Sequence, residues 1–410
     1  MGDRFPGGVI SKTPPVVVAP VDGEGGSASG LWTLTEQLDL QKAGSWPKGL
    51  LPRELYAWGN NYRGQLGDNT VAYRSSPVQI GSELNWQSTS VWNHGLAIKL
   101  NGTLWSWGYG GNGRLGLNST TNRSSPVQIG ALTNWAQASA GDNFSAAVKT
   151  DNSLWVWGEN GKGQLGLSDT PDRSSPVQLG ALTNWAQVSC GGDHCHAVKT
   201  DGTLWSWGDG ANGKLGLNDS APFPGSVSRS SPVQVGSLTS WANVSGGNDR
   251  SGAVKTDGTL WCWGINQYGQ TGDGTVITRS SPVQIGANTN WSNVSHGKAQ
   301  TGHAMALKTT GQLYGWGAQS RGAIGDNTVA YRSSPVQIGA LTNWSQVEAG
   351  QFNTVSVKTD GTFWAWGYGD KGQNGDNTVI RRSSPVQVGA LTSWSQGASG
   401  ANVTVAITKG

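Results

Sequence analysis

The sequence is short of charge. Asp, Glu, Lys and Arg make up 13% of its 410 residues, and the formal net charge is +3. A nucleic-acid binder carries a basic patch or stripe; none is visible, so nucleic acid is not expected as a partner. Cysteine is sparse. Cys190, Cys195 and Cys262 are odd in number and do not make a disulfide framework. No stretch approaches the roughly 18 apolar residues that cross a bilayer, so no membrane insertion is expected. The N-terminal run MGDRFPGGVISKTPP lacks the apolar centre of a secretory signal. Helical periodicity is missing too. Only TLTEQLDLQKAG, before residue 50, repeats apolar residues at helical spacing.

What the chain does have is 63 Gly and 22 Trp. Disordered Gly-rich chains lack aromatics. Here Gly marks turns, and Trp supplies apolar area that the modest aliphatic content does not. Three marks recur seven times each. A Trp-Gly pair stands at Trp58, Trp107, Trp157, Trp207, Trp263, Trp316 and Trp366, with spacings of 49, 50, 50, 56, 53 and 50. R-S-S-P-V-Q recurs with prolines at Pro77, Pro126, Pro176, Pro232, Pro282, Pro335 and Pro385. A further Trp follows a short polar turn at Trp86, Trp135, Trp185, Trp241, Trp291, Trp344 and Trp394. Between the marks, AVKTDGTLWSWG reads as two strands joined by Asp-Gly, a hairpin signal of the type I′ kind, which needs φ > 0 at both central residues. With VSAG…AVK and SPVQIG, each repeat holds about four short strands.

Such a unit builds either a solenoid or a propeller, and the chain ends decide between them. When VAITKG is aligned on SVKTDG, Gly410 falls on Asp360; when RELYAWG is aligned on GTFWAWG, Arg53 falls on Gly361. The two ends are halves of one hairpin. A solenoid would leave both as exposed edges, whereas a ring pairs them. The expected fold is all-β: residues 53–410 form a seven-bladed β-propeller of four-stranded blades, closed by pairing of the C-terminal strands with the strand near residue 54. Residues 1–52 form an extended N-terminal arm with a possible short helix at 33–43.

The unit W-G-x-N-x-x-G-Q-L-G…V-S-x-G-x-x-H-x-x-A-V-K-T-D-G-T-L-W-x-W-G resembles the repeat of the regulator of chromosome condensation family over residues 53–410, best in Trp157 to Gly208 and Trp207 to Gly264. That resemblance implies a seven-bladed propeller. It does not select a function, because the family includes nucleotide-exchange factors for a small GTPase, chromatin binders and β-lactamase inhibitors. The exchange factor's protruding wedge and basic tail have no counterpart: the longest insertion is the segment around Ala221–Val227, and the tail is not basic. Neither exchange activity nor chromatin binding is expected. The segment FPGGVISKTPP…SASGLWTLTEQLDLQKAGSWP resembles the N-terminal segment of structural proteins of tailed bacteriophages. That resemblance implies an arm that docks on other virion proteins. Trp32 and Trp46, with the amphipathic run Leu34, Leu38 and Leu40, need a partner surface to bury them and are the anchoring candidates; the alternative is that the arm packs across the propeller's own face.

Four groups of residues bear on chemistry. Cys190, His194, Cys195 and His196 could together hold zinc, but strand alternation sends neighbours to opposite faces, so no metal is expected. The seven Arg of R-S-S-P could form a cationic circle; recurrence in every repeat favours pairing with carbonyls or an acidic neighbour such as Asp68 or Asp326. The recurrent Trp residues could stack sugars, but recurrence again favours packing between blades. The loop after V-S-x-G varies strongly, giving Trp92, His94, Phe144, His194, Arg250 and Phe352 as recognition candidates, and the residues after each Trp-Gly are a second set. There is no Ser/His/Asp arrangement, phosphate-cradling loop or isolated carboxylate pair, so neither an enzyme nor a cofactor is expected. The expectation is a non-enzymatic virion structural protein whose arm docks on the particle and whose propeller decorates it or contacts a host protein or glycan. The alternative is a soluble binding or inhibitor propeller of bacterial origin, extracellular or cytoplasmic.

Overall fold

The structure is a computed structural model that describes residues 52–219, 227–319 and 321–410. The expected arm, its helix at 33–43, and Trp32, Leu34, Leu38, Leu40 and Trp46 lie outside the described residues.

Residues Arg53–Lys409 form one compact unit. It holds seven antiparallel sheets of four strands each, the expected seven-bladed propeller. Within blades 1 to 6 the strands run outward in chain order, from the turn Trp to R-S-S-P-V-Q. Blades 1 to 6 cover residues 86–128, 135–178, 185–234, 241–284, 291–337 and 344–387. Blade 7 is assembled from both ends: Trp394–Ser399 and Val403–Thr408 supply its inner half, Leu55–Gly59 and Arg74–Gln79 its outer half. Across this seam Leu55 pairs with Ile407, Ala57 with Val405 and Gly59 with Val403. Arg53 also takes the expected hairpin place, since its carbonyl accepts from Trp86 N–H at 3.2 Å as Gly361 does from Trp394 at 3.0 Å.

One expectation needs correction. The hairpins exist, but their turns are not type I′. In blade 3 only Gly202 has positive φ (+76°), Asp201 does not, and Gly202 N–H donates to Lys199 O at 2.9 Å. That is a three-residue loop ending in a left-handed Gly. Asp201 contributes through its side chain, accepting from Thr203 N–H (2.9 Å) and Thr203 Oγ1 (2.6 Å).

The core consists of seven apolar clusters, each combining side chains of adjacent blades. Every Trp-Gly tryptophan is fully buried and bonds to the preceding blade. Trp157 Nε1 donates to Arg114 O at 2.8 Å, Trp263 Nε1 to Lys214 O at 2.9 Å, and Trp58 Nε1 to Gln373 O at 3.0 Å. The last of these repeats the contact across the seam. The glycine at the end of each G-x-L-G-like loop makes room for the indole. A Cβ on Gly375 would sit 2.5 Å from Trp58 Nε1, and one on Gly216 2.9 Å from Trp263 Nε1. The turn tryptophans are also packing residues. Trp185 meets Trp205 and Trp207 edge-on, and the Lys199 ammonium lies 3.8 Å from the Trp205 ring centre, a cation–π contact. These rings are not free to stack sugars.

Candidate functional site

Antiparallel strands in fours put the loop between strands one and two on the same face as the loop between strands three and four. The two sets of variable loops therefore converge on one face, around the mouth of the central channel.

The channel itself is lined by the innermost strands. Their Ser and Gln side chains reach the next blade: Ser90 Oγ accepts from Ala140 N–H (3.0 Å), Ser139 Oγ from Cys190 N–H (2.9 Å), and Gln346 bonds both N–H and C=O of Gly397 (2.7 Å each). The cavity is 360 Å³. Glu348 stands in it at the position that is Ser in blades 1 to 5, and accepts from Ser295 Oγ at 3.1 Å. Burial raises its carboxyl above the usual range, partly offset by the Lys298 ammonium.

Lys298 closes the mouth. It starts in blade 5 and crosses the axis, donating to Val91 O of blade 1 (2.5 Å) and Ser399 O of blade 7 (2.6 Å), with the Trp92 ring centre at 5.4 Å. Removal from water pushes its pKa down to about 8. It gets there because the blade 5 loop, residues 297–302, is longer than its counterparts, the visible source of the 53-residue spacing. Above Lys298 lies a recess of 510 Å³ lined by Asn60, Tyr62, Trp92, Asn93, Asp142, Asn248, Lys298–Thr301, Gln351, Phe352, Ala401 and Asn402. Both predicted loop sets contribute to it.

The predicted recognition residues divide. Trp92 and Phe352 line the recess; Trp92 is 2% exposed, Phe352 half-buried. Phe352 and Tyr368 meet edge-on, and the Arg321 guanidinium lies 4.1 Å from each ring centre. His94, Phe144, His194 and Arg250 do not belong to a contact surface. All four are fully buried at the start of a second strand. His94 Nε2 meets Ser145 Oγ at 2.7 Å, and Ser145 Oγ donates to Arg114 O at 2.8 Å; His303, Thr354 and Ala323 O repeat the chain. Burial holds these imidazoles neutral, with His303 and His196 pushed down to about 3. Arg250 has another task. Its guanidinium donates to Gly297 O (3.0 Å), Ala299 O (2.8 Å) and Gln300 O (3.1 Å), so it holds the long loop from which Lys298 projects.

The would-be zinc ligands separate as alternation requires. Cys190 and Cys195 face each other with sulfurs 3.2 Å apart, while His194 and His196 both bond Ser251 Oγ, at 3.1 and 2.7 Å. Among the described residues no cluster of His, Cys, Asp and Glu could hold a metal. Six of the seven R-S-S-P arginines bind a loop aspartate, Arg74 to Asp68 and Arg332 to Asp326 among them. Arg123 lacks that acid: Leu117 stands where Asp68 and Asp326 stand in their loops, and Ser119 where Asp169 stands.

A second surface departs from sevenfold regularity. Just before the outermost strand, blades 4 to 7 expose Val276 and Ile277, Val329 and Tyr331, Val379 and Ile380, and Val71 and Tyr73. Blades 1 and 2 have Thr120 and Thr121, and Thr170 and Pro171, in this region.

A model of the RCC1-like domain matches residues 54–406. The chain belongs to this family. Among solved RCC1-like propellers, yeast RCC1 (Prp20) bound to Kap60 superposes with a TM-score of 0.78 at 20% identity, over 87% of this chain and 89% of that one. Prp20p from Saccharomyces cerevisiae, a protein with binding properties toward Gsp1p and histones, gives 0.77 at 21%, over 88% and 92%. Human WBSCR16 gives 0.77 at 20%, over 87% and 99%. At these identities the likeness is one of fold.

Proposed function

We propose that this protein is a non-enzymatic structural component of a tailed-bacteriophage particle. In this reading residues 1–52 dock on other virion proteins, and the propeller is held out as a decoration or host-contact module.

The observation that carries the binding-module half is the distribution of variation. Framework side chains are spent internally: the tryptophans on carbonyls of the preceding blade, six arginines on aspartates. Residues that differ from blade to blade gather at one channel mouth, where a recess is floored by a charge found in one blade alone. A rigid ring with one variable face is what a display or recognition module needs. The virion half rests on the N-terminal segment, whose resemblance to phage structural proteins is in the sequence.

Deleting residues 2–50 tests the assignment. The expected result is a propeller that stays folded but no longer co-purifies with particles. Retained association would transfer the docking role to the propeller. A soluble inhibitor or binding propeller would never have been particle-bound, and its binding would survive the deletion.

A further inference from the structure

The recess over Lys298 has a specific chemistry. Its polar lining is mainly amide: Asn60, Asn93, Asn248, Gln300, Gln351 and Asn402. Asp142 is the carboxylate and Lys298 the ammonium. Several of these groups are only half used. Asn93 gives its amino group to one oxygen of Asp142, at 2.5 Å. Gln351 Oε1 accepts from the Asn402 amino group, at 3.1 Å. That leaves the Asn93 oxygen, the second Asp142 oxygen and the Gln351 amino group with hydrogen-bonding capacity. Tyr62 and Phe352 add aromatic surface at the edges.

Charge decides what fits. Lys298 spends two of its three N–H bonds on carbonyls and has Glu348 beneath it. Asp142 brings a negative charge to the wall. Arg114 and Arg250 also bond the wall, but each cation has a carboxylate beside it, Lys298 with Glu348, Arg114 with Asp142 and Arg250 with Asp249. No unpaired cation is left to hold an anion, so phosphate, sulfate and acidic sugars are disfavoured. An apolar ligand would strand the amides without partners, at a cost for each. A ligand that is neutral and dense in paired donors and acceptors satisfies both conditions. Planar amides and a carboxylate each offer two hydrogen-bonding sites to adjacent hydroxyls, and aromatic edges cover C–H faces.

We propose that the channel-mouth recess is a binding site for a neutral sugar residue, with Asp142, Asn93 and Gln351 bonding its hydroxyls and Lys298 forming the floor. Arg250 is a positioning residue: it fixes the 297–302 loop and never meets the sugar. The proposal deepens the host-contact reading above by naming a neutral glycan as the partner, and rests on that reading for its purpose, not for its chemistry.

The experiment uses the full chain. Saturation-transfer NMR and titration calorimetry are run with glucose, galactose, mannose and N-acetylglucosamine, and with glucuronate and N-acetylneuraminate as acidic counterparts. At least one neutral sugar is expected to bind in the millimolar range, and the acidic ones more weakly. Asp142→Ala and Gln351→Ala are each expected to weaken it about tenfold, with thermal unfolding that stays a single cooperative transition. Arg123→Gln, on the outer rim, is expected to leave it alone. Lys298→Met, checked by the same melt, is expected to abolish it. The proposal is overturned if no neutral sugar transfers saturation, if acidic sugars bind better, or if binding survives both Asp142→Ala and Gln351→Ala. Mass spectrometry of particles reads the display assignment separately: sugar binding without particle association would sink display and leave the recess standing, and the reverse holds.

Discussion

Leu55 and Ile407 stand opposite each other in one antiparallel pair of strands, and this pair closes the ring. Ile407, Val405 and Leu55 are completely buried and share one apolar cluster with Trp86 and Trp107 of blade 1. Opening the seam should therefore cost the whole ring, not one blade. Val405→Asp places an unpaired carboxylate in that cluster, a loss of at least about 3 kcal/mol. The expected outcome is a single cooperative urea transition at lower midpoint, by tryptophan fluorescence and circular dichroism alike. Two separated transitions would show that blade 7 melts alone.

The glycine under each indole gives a sharper comparison. Gly375 has φ +70° and a Cβ there would meet Trp58 Nε1 at 2.5 Å, whereas Gly130 has φ +59° and nothing within 4 Å. Gly130→Ala should cost only the left-handed backbone penalty, about 1–2 kcal/mol. Gly375→Ala should cost that plus displacement of a buried tryptophan, at least about 3 kcal/mol. Equal urea midpoints for the two variants would contradict the packing role given to these loops.

The arginine–aspartate pairs should be lopsided. Arg332 is 36% exposed, while Asp326 is 6% exposed and accepts from Thr328 N–H and Thr328 Oγ1 as well as Arg332. Arg332→Gln removes one partly solvated partner and should cost less than about 1 kcal/mol. Asp326→Ala strands several donors and should cost about 1–3 kcal/mol. Chemical denaturation of both variants checks the order.

Acid should destabilise the protein before most carboxylates titrate. His196 and His303 are held near 3 when folded, against about 6.5 unfolded. The unfolded chain therefore binds more protons between these values. Through these two groups stability falls as pH drops from about 6.5 toward 3. Asp68, Asp273, Asp326 and Asp376, all shifted down, add loss of the same sign lower still. Urea midpoints at pH 7, 6, 5 and 4 should decrease steadily, and less steeply in His303→Gln.

The ring and its closure were legible because they rest on recurrence. Seven Trp-Gly pairs set the blade number, and Arg53 sits on the hairpin position that alignment gave it. The same recurrence separated framework from function for the Arg and Trp sets. What recurrence hid was direction. His94, Phe144, His194 and Arg250 vary from copy to copy, yet each opens a second strand and points between blades. Variation there records which partner the next blade offers, Ser145 in one case and a long loop in another. Lys298 was visible only as part of a long spacing; that it crosses the axis depends on ring geometry, which pairs residues 207 positions apart. That both loop sets share one face follows from antiparallel order and needed only strand counting.

Quantitative mass spectrometry of gradient-purified phage particles carrying this gene tests the central claim most directly. The account predicts peptides from the propeller at a fixed ratio to the major virion proteins, lost when residues 2–50 are deleted. Propeller peptides absent from the particles, and present only in the soluble lysate, would contradict it.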